Sequence, residues 1–106
     1  MADPIRIAVI DDHPLFRQGA VQALTNTCGM EIVGEGATAT DALKLAQDLA
    51  PDVILLDVVL PGGGVEAAAG IARNCPRVRI VMLTASENEQ HVALALQAGA
   101  RLHSQG

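Results

Sequence analysis

The sequence predicts an α/β domain built on a parallel sheet with helices on both faces. Three observations carry that prediction. Short runs of Val, Ile and Leu alternate along the chain with longer Ala-rich stretches. The later runs are continuously apolar, as in strands covered on both sides. Phe16 is the only aromatic residue among 106, so the core between strand and helix must be aliphatic. A chain of this length fits one domain, residues 1–106, and half of it is hydrophobic, ample for a buried core.

The elements follow in order. Residues 5–10 form the first strand, ending abruptly at Asp11-Asp12. Pro14 suits the first turn of a helix, and Phe16, Ala20, Ala23 and Leu24 then share one face. Residues 31–34 are a weaker strand. Ala39, Ala42, Leu43, Ala46, Leu49 and Ala50 make the clearest helical stripe, opposite Asp41, Lys44, Gln47 and Asp48. Residues 53–56 are the third strand, and a smaller stripe of Val65, Ala68, Ala69 and Ala72 follows. Residues 80–83 are the fourth strand. A last helix opens with the capping-box pattern Ser86-Glu87-Asn88-Glu89 and stops at Gly99, with Val92, Ala95 and Leu96 toward the sheet and Leu94 away from it. The order is β-α-β-α-β-α-β-α, with right-handed crossovers. Residues 102–106 then read as neither strand nor helix.

Composition narrows the function. The formal net charge is −5 and Lys44 is the only lysine, so the chain lacks the basic stripe that nucleic-acid binding requires. Cys28 and Cys75 have no metal-ligand or redox spacing and read as cytosolic packing thiols. The first apolar run is too short for a signal peptide, and no stretch is long enough to span a membrane. A cytoplasmic location is expected.

The acidic residues fall where a site belongs. In an open parallel α/β sheet, ligands bind beyond the carboxyl ends of the strands, near the point where strand order reverses. Asp11 and Asp12 end strand one, Asp57 ends strand three, and Thr84 ends strand four. A flavodoxin-like order 2-1-3-4-5 sets strand one beside strand three and brings the aspartates to one rim. Two carboxylates at ~4 Å repel by about 4 kcal/mol at an effective dielectric of 20. A bound cation relieves that repulsion, and an all-oxygen site with room for water and phosphate suits Mg²⁺. Asp57 would then be free to act as an in-line nucleophile, with the Thr84 hydroxyl donating to a phosphoryl oxygen. Singly, Asp-Asp after a strand is an ordinary helix cap; the constellation is what points to chemistry.

At these residues the sequence resembles the receiver domains of two-component response regulators. The matching pieces are Ile7-Ala8-Val9-Ile10-Asp11-Asp12-His13-Pro14, Pro51-Asp52-Val53-Ile54-Leu55-Leu56-Asp57, Leu60-Pro61-Gly62, Val81-Met82-Leu83-Thr84-Ala85 and Ala98-Gly99-Ala100. The opening through Leu15-Phe16-Arg17 is similar to the NarL/FixJ subfamily, whose output domain is a LuxR-type helix-turn-helix. The resemblance implies Asp57 as the residue phosphorylated by a sensor histidine kinase, so the chain is a phosphoryl acceptor rather than an enzyme. It implies Mg²⁺ held by Asp12, Asp57 and the backbone carbonyl of Val59, with Asp11 acting through water. Thr84 would turn toward the phosphoryl group, Ala85 would leave it space, and Pro61 and the Gly62-Gly63-Gly64 run would shape the loop. Ser86 and Val59 would flank the acceptor.

The resemblance also marks a departure. Receivers continue into a fifth strand and helix and carry an active-site lysine after the Ala-Gly-Ala segment. Here Leu102-His103-Ser104-Gln105-Gly106 follows instead, and no residue matches that lysine. The expectation is a receiver truncated at its C-terminus, with an atypical tail at 102–106 and without the output domain through which DNA would be bound. The fourth strand would become an exposed edge, inviting a homodimer or domain-swapped oligomer through that edge and the last helix. A binding-only pseudo-receiver, or a fragment inactivated by truncation, is the alternative. Two rivals fit less well. A haloacid-dehalogenase-like phosphatase wants an aspartate where Val59 stands, and Gly62-Gly63-Gly64 matches neither nucleotide-binding glycine pattern.

Overall fold

A computed structural model describes residues 3–83. In chain order the elements are β1 (Ile5–Ile10), α1 (Pro14–Thr25), β2 (Met30–Gly36), α2 (Ala39–Leu49), β3 (Val53–Asp57), α3 (Gly64–Asn74) and β4 (Arg79–Leu83). The four strands are parallel and lie in the order β2-β1-β3-β4. This is the flavodoxin-like order as far as β4, with β1 central and the reversal between β1 and β3.

Alternation along the two central strands builds two cores. Ala8, Ile10, Ile54 and Leu56 point to one face, where Ala39, Ala42 and Ala46 of α2 and Ala67 and Ile71 of α3 cover them. Ile7, Val9, Val53 and Leu55 point to the other, under Ala20 and Leu24 of α1. A strand side-chain period of two makes this division unavoidable once helices flank both faces. Each large aliphatic side chain buried this way is worth about 1.5–3 kcal/mol. Alanines on the helices let them approach the sheet closely, leaving its Ile and Leu to supply the volume.

The helix ends have local causes. His13 precedes Pro14, and a residue before proline is pushed to extended backbone; at φ −97° and ψ 104° it is the N-cap of α1. The Thr38 hydroxyl accepts from the Asp41 N–H (3.1 Å) while the Asp41 carboxylate accepts from the Ala37 N–H (2.9 Å), so α2 opens on reciprocal caps. Ala50 ends α2 in the left-handed region, at φ 44°, immediately before Pro51. It is therefore an exposed cap and not the last member of the helical stripe.

The third helix corrects the sequence reading. Its buried face is Gly64, Ala67, Gly70 and Ile71, whereas Val65, Ala69 and Ala72 are exposed and Ala68 is only half-buried. Ile71 decides the rotation, because it is the bulkiest apolar side chain of the helix beyond its first turn. Gly70 supports it: a Cβ there would lie 2.9 Å from Leu43 Cδ2, so α3 turns this position against α2. β2 is longer than its apolar signal, running to Gly36 with Glu31 and Glu35 exposed. The last helix predicted from Ser86 to Gly99, Thr84, Ala85 and the 102–106 tail lie outside the described residues.

Candidate functional site

The sheet places the acidic residues before any side chain is considered. β1 and β3 are parallel neighbours, with Ile10 opposite Leu56, so the residues leaving both strands emerge on the same rim. Asp57 is the last residue of β3, paired with Leu83 of β4, and the Val58 N–H then donates to the Leu83 carbonyl (2.9 Å). On the other side, the Asp11 N–H donates to the Gly36 carbonyl (3.0 Å). Three strands thus clamp the backbone that carries Asp11 and Asp57.

One oxygen, nitrogen or carboxylate atom from each of Asp11, Asp12, His13 and Asp57 falls within 4.8 Å of all the others. Asp57 is 1% exposed and Asp11 4%. Asp57 Oδ1 accepts from the Val59 N–H (3.1 Å), while Asp57 Oδ2 is buried with no hydrogen-bond partner. Asp12 Oδ1 is in the same condition. Leaving carboxylate oxygens buried and unpaired costs several kcal/mol unless a cation faces them. The residues therefore fit a hard divalent cation such as Mg²⁺ in donor type and in the closeness of their carboxylates.

His13 stands among these carboxylates. Its Nδ1 lies 3.0 Å from Asp11 Oδ1, 3.1 Å from Asp12 Oδ1 and 3.6 Å from Asp57 Oδ2. The Asp11 hydrogen bond, then the charge of Asp12, raise the imidazole pKa above its usual value. Asp11 Oδ1 also accepts from the His13 backbone N–H (2.8 Å), and Arg17 donates to the Asp11 carbonyl (2.8 Å). Arg17 Nε lies 3.5 Å from Glu35, joining α1 to β2 behind the site.

The loop after β3 is held against the site by glycine. Gly64 begins α3 so close to the Asp57 and Val58 carbonyls that a Cβ would collide with both. Gly63 caps the helix at φ 94°, a conformation open to glycine and costly for other residues. The Ala39 N–H donates to the Pro61 carbonyl (3.0 Å), tying the same loop to the start of α2.

Among the expected site residues, Asp11, Asp12 and Asp57 are brought together, and Val59 lies beside Asp57 through its N–H. Pro61 and Gly62 lie in the loop, Gly62 with positive φ. Thr84, Ala85 and Ser86 lie outside the described residues. Sequence reasoning missed His13 as a contributor and placed Gly64 only in the glycine run that shapes the loop, without its contact with the end of β3. The signal for His13 was present in Pro14, which extends the preceding residue and turns it into the rim.

Comparison with known proteins gives a consistent result. A model of the response regulator receiver domain matches residues 7–103. The chain is 40% identical over 97 residues to response regulator GacA of Pseudomonas aeruginosa, covering 91% of this chain and 45% of that protein. It thus spans about half the length of the curated relatives it matches. The receiver domain of a NarL response regulator from Mycobacterium tuberculosis superposes with a TM-score of 0.76 at 37% identity, covering 91% of this chain and 78% of that one. A LuxR-family two-component response regulator from Aurantimonas superposes with a TM-score of 0.74 at 33% identity, covering 92% and 70%.

Proposed function

Because the chain belongs to the response regulator receiver domain family, we propose that it accepts a phosphoryl group on Asp57 from a sensor histidine kinase. The observation that carries this reading is Asp57 Oδ2, a buried carboxylate oxygen without a hydrogen-bond partner, set beside Asp11 and Asp12. A nucleophile needs a free lone pair held in place. The Val59 N–H engages Oδ1 and leaves Oδ2 for the attack.

The residues divide the work. Asp12, Asp57 and the Val59 carbonyl would hold Mg²⁺, with Asp11 acting through water. When bound, Mg²⁺ supplies positive charge against the phosphoryl oxygens and against the carboxylates. Asp57 Oδ2 forms the O–P bond as the P–N bond of the donor phosphohistidine breaks. The product is an aspartyl phosphate, and the donor imidazole nitrogen leaves with the electron pair of that bond. Thr84 would donate its hydroxyl to the new phosphoryl group, with Ala85 leaving space for it. The chain acts as a phosphoryl acceptor, in the cytoplasm, and DNA would be engaged through an output segment beyond these residues, the net charge here being −5.

The test uses Mg²⁺ and a small phosphodonor such as acetyl phosphate, with intact mass as readout. A base-labile mass gain of one phosphoryl group is expected, and Asp57→Asn should abolish it. A well-folded chain that gains no mass under these conditions would be a binding-only pseudo-receiver.

A further inference from the structure

We propose that Arg17 is a positioning residue for the cation site: its guanidinium, steadied by Glu35, fixes the peptide between Asp11 and Asp12 and so sets Asp12 for the ion. The inference rests on the cation site proposed above and adds what holds one of its ligands in place.

The contacts run in one line from β2 to the site. Glu35 Oε1 of β2 lies 3.5 Å from Arg17 Nε of α1. Arg17 Nη1 in turn donates to the Asp11 backbone carbonyl at 2.8 Å. That carbonyl belongs to the peptide joining Asp11 to Asp12, and the peptide is planar, so pinning its oxygen pins the Asp12 Cα as well. The preceding peptide is held too, since the Asp11 N–H donates to the Gly36 carbonyl, next to Glu35 in β2 (3.0 Å). Asp12 needs this support from its backbone. Its Oδ1 is buried without a hydrogen-bond partner, and the ion-pair contact it makes, with His13 Nδ1 at 3.1 Å, comes from a side chain 57% exposed.

Arg17 serves the site and not its own helix. It is the fourth residue of α1, near the N-terminus, where the helix dipole favours carboxylates over cations. Its side chain is nonetheless only 24% exposed, with Nε buried, so a long charged side chain has been turned inward. Arginine suits the task because its rigid planar fork presents Nε and Nη1 to different acceptors at once. Charge alone would have the opposite sign. A guanidinium near the carboxylates repels Mg²⁺, so removing it as a mere charge would tighten binding. Removing it as a brace weakens binding.

The experiment measures Mg²⁺ affinity of the full chain by calorimetry in wild type, Arg17→Met, Glu35→Ala and the double variant, with folding checked by circular dichroism. Arg17→Met should weaken Mg²⁺ binding about tenfold, the usual effect of removing a group that orients a ligand. Glu35→Ala should weaken it about threefold, and should add nothing in the Arg17→Met background, because Glu35 acts through Arg17. In the metal-free chain, both single variants should shift the Asp12 amide ¹⁵N resonance. Unchanged or tighter Mg²⁺ binding in Arg17→Met, or an equal effect of Glu35→Ala in both backgrounds, overturns the inference and leaves the carboxylate site intact. Should Arg17→Met fail to fold, the exposed Glu35 carries the test: an unshifted Asp12 resonance in Glu35→Ala overturns the inference. Failure of the wild type to bind Mg²⁺ would instead remove the cation site, and this inference with it.

Discussion

Asp41 shows how a single side chain acts at both ends of a turn. Its carboxylate accepts from the Ala37 N–H and its own N–H donates to Thr38. The Ala37 hydrogen bond is the main reason its pKa lies below the usual carboxylate range. The sign follows from linkage: a group depressed in the folded state stabilises the fold above its unfolded pKa, and that contribution disappears as pH falls through the folded value. The window therefore runs downward from about pH 4. Asp41→Asn should flatten the acid limb of stability between pH 7 and pH 2 relative to wild type, measured by urea unfolding at each pH. An unchanged acid limb would show that the cap does not contribute.

His13 and Gly64 make a related point about single residues. Neither announces chemistry by its type, since a lone histidine near a helix start is commonplace and a glycine after two others reads as loop. What gives each its place is a neighbour fixed by the chain. Pro14 extends His13 toward the carboxylates, and the end of β3 presents the carbonyls that only a residue without a Cβ can meet.

At the scale of elements, the β3–α3 connection couples the fold to the site. It carries Asp57 at one end and Gly64 at the other, and between them it is bonded to α2 through Pro61 and Ala39. Gly64→Ala should destabilise the domain by about 1–3 kcal/mol, because the added methyl meets backbone that cannot move without moving Asp57. The same change should slow phosphoryl transfer to Asp57. Urea unfolding and the initial rate of mass gain measure the two effects; a wild-type rate in a destabilised variant would separate the loop from the chemistry. The helices themselves differed in legibility. The stripe of α2 was readable because Ala39, Ala42, Leu43, Ala46 and Leu49 contrast with Asp41, Lys44, Gln47 and Asp48 on its polar side. In α3 nearly every residue is small, so several rotations bury almost the same area, and packing of Ile71 and Gly70 against the neighbouring core chooses among them.

At the scale of the whole molecule, the doubly wound sheet holds like charges together on its rim. Asp11 and Asp57 are buried on the ends of adjacent strands, and the two aliphatic cores beneath them stabilise an arrangement that electrostatics disfavours. A cation that binds only the folded state adds stability in proportion to RT ln(1 + [L]/Kd). Mg²⁺ at ten times its dissociation constant should therefore raise stability by about 1.4 kcal/mol, seen as an upward shift of the thermal midpoint. Chelation should reverse the shift, and Asp12→Ala should remove most of it. An equal shift in Asp12→Ala would place the ion elsewhere.

The sequence by itself determined the strand and helix order as far as β4 and the position of each aspartate at a strand end. Those features are local: a run of Val, Ile and Leu stops where a charge begins, whatever the rest of the chain does. The parallel order, and with it the shared rim, also followed, because short crossovers of one hand leave few arrangements. Tertiary structure alone decided which face of α3 is buried, how closely Gly64 meets the end of β3, and that His13 Nδ1 lies within 3.6 Å of three carboxylates. These depend on distances between segments far apart in sequence, where a rotation or shift of a few ångströms costs little in local propensity. Packing of the two cores sets those distances.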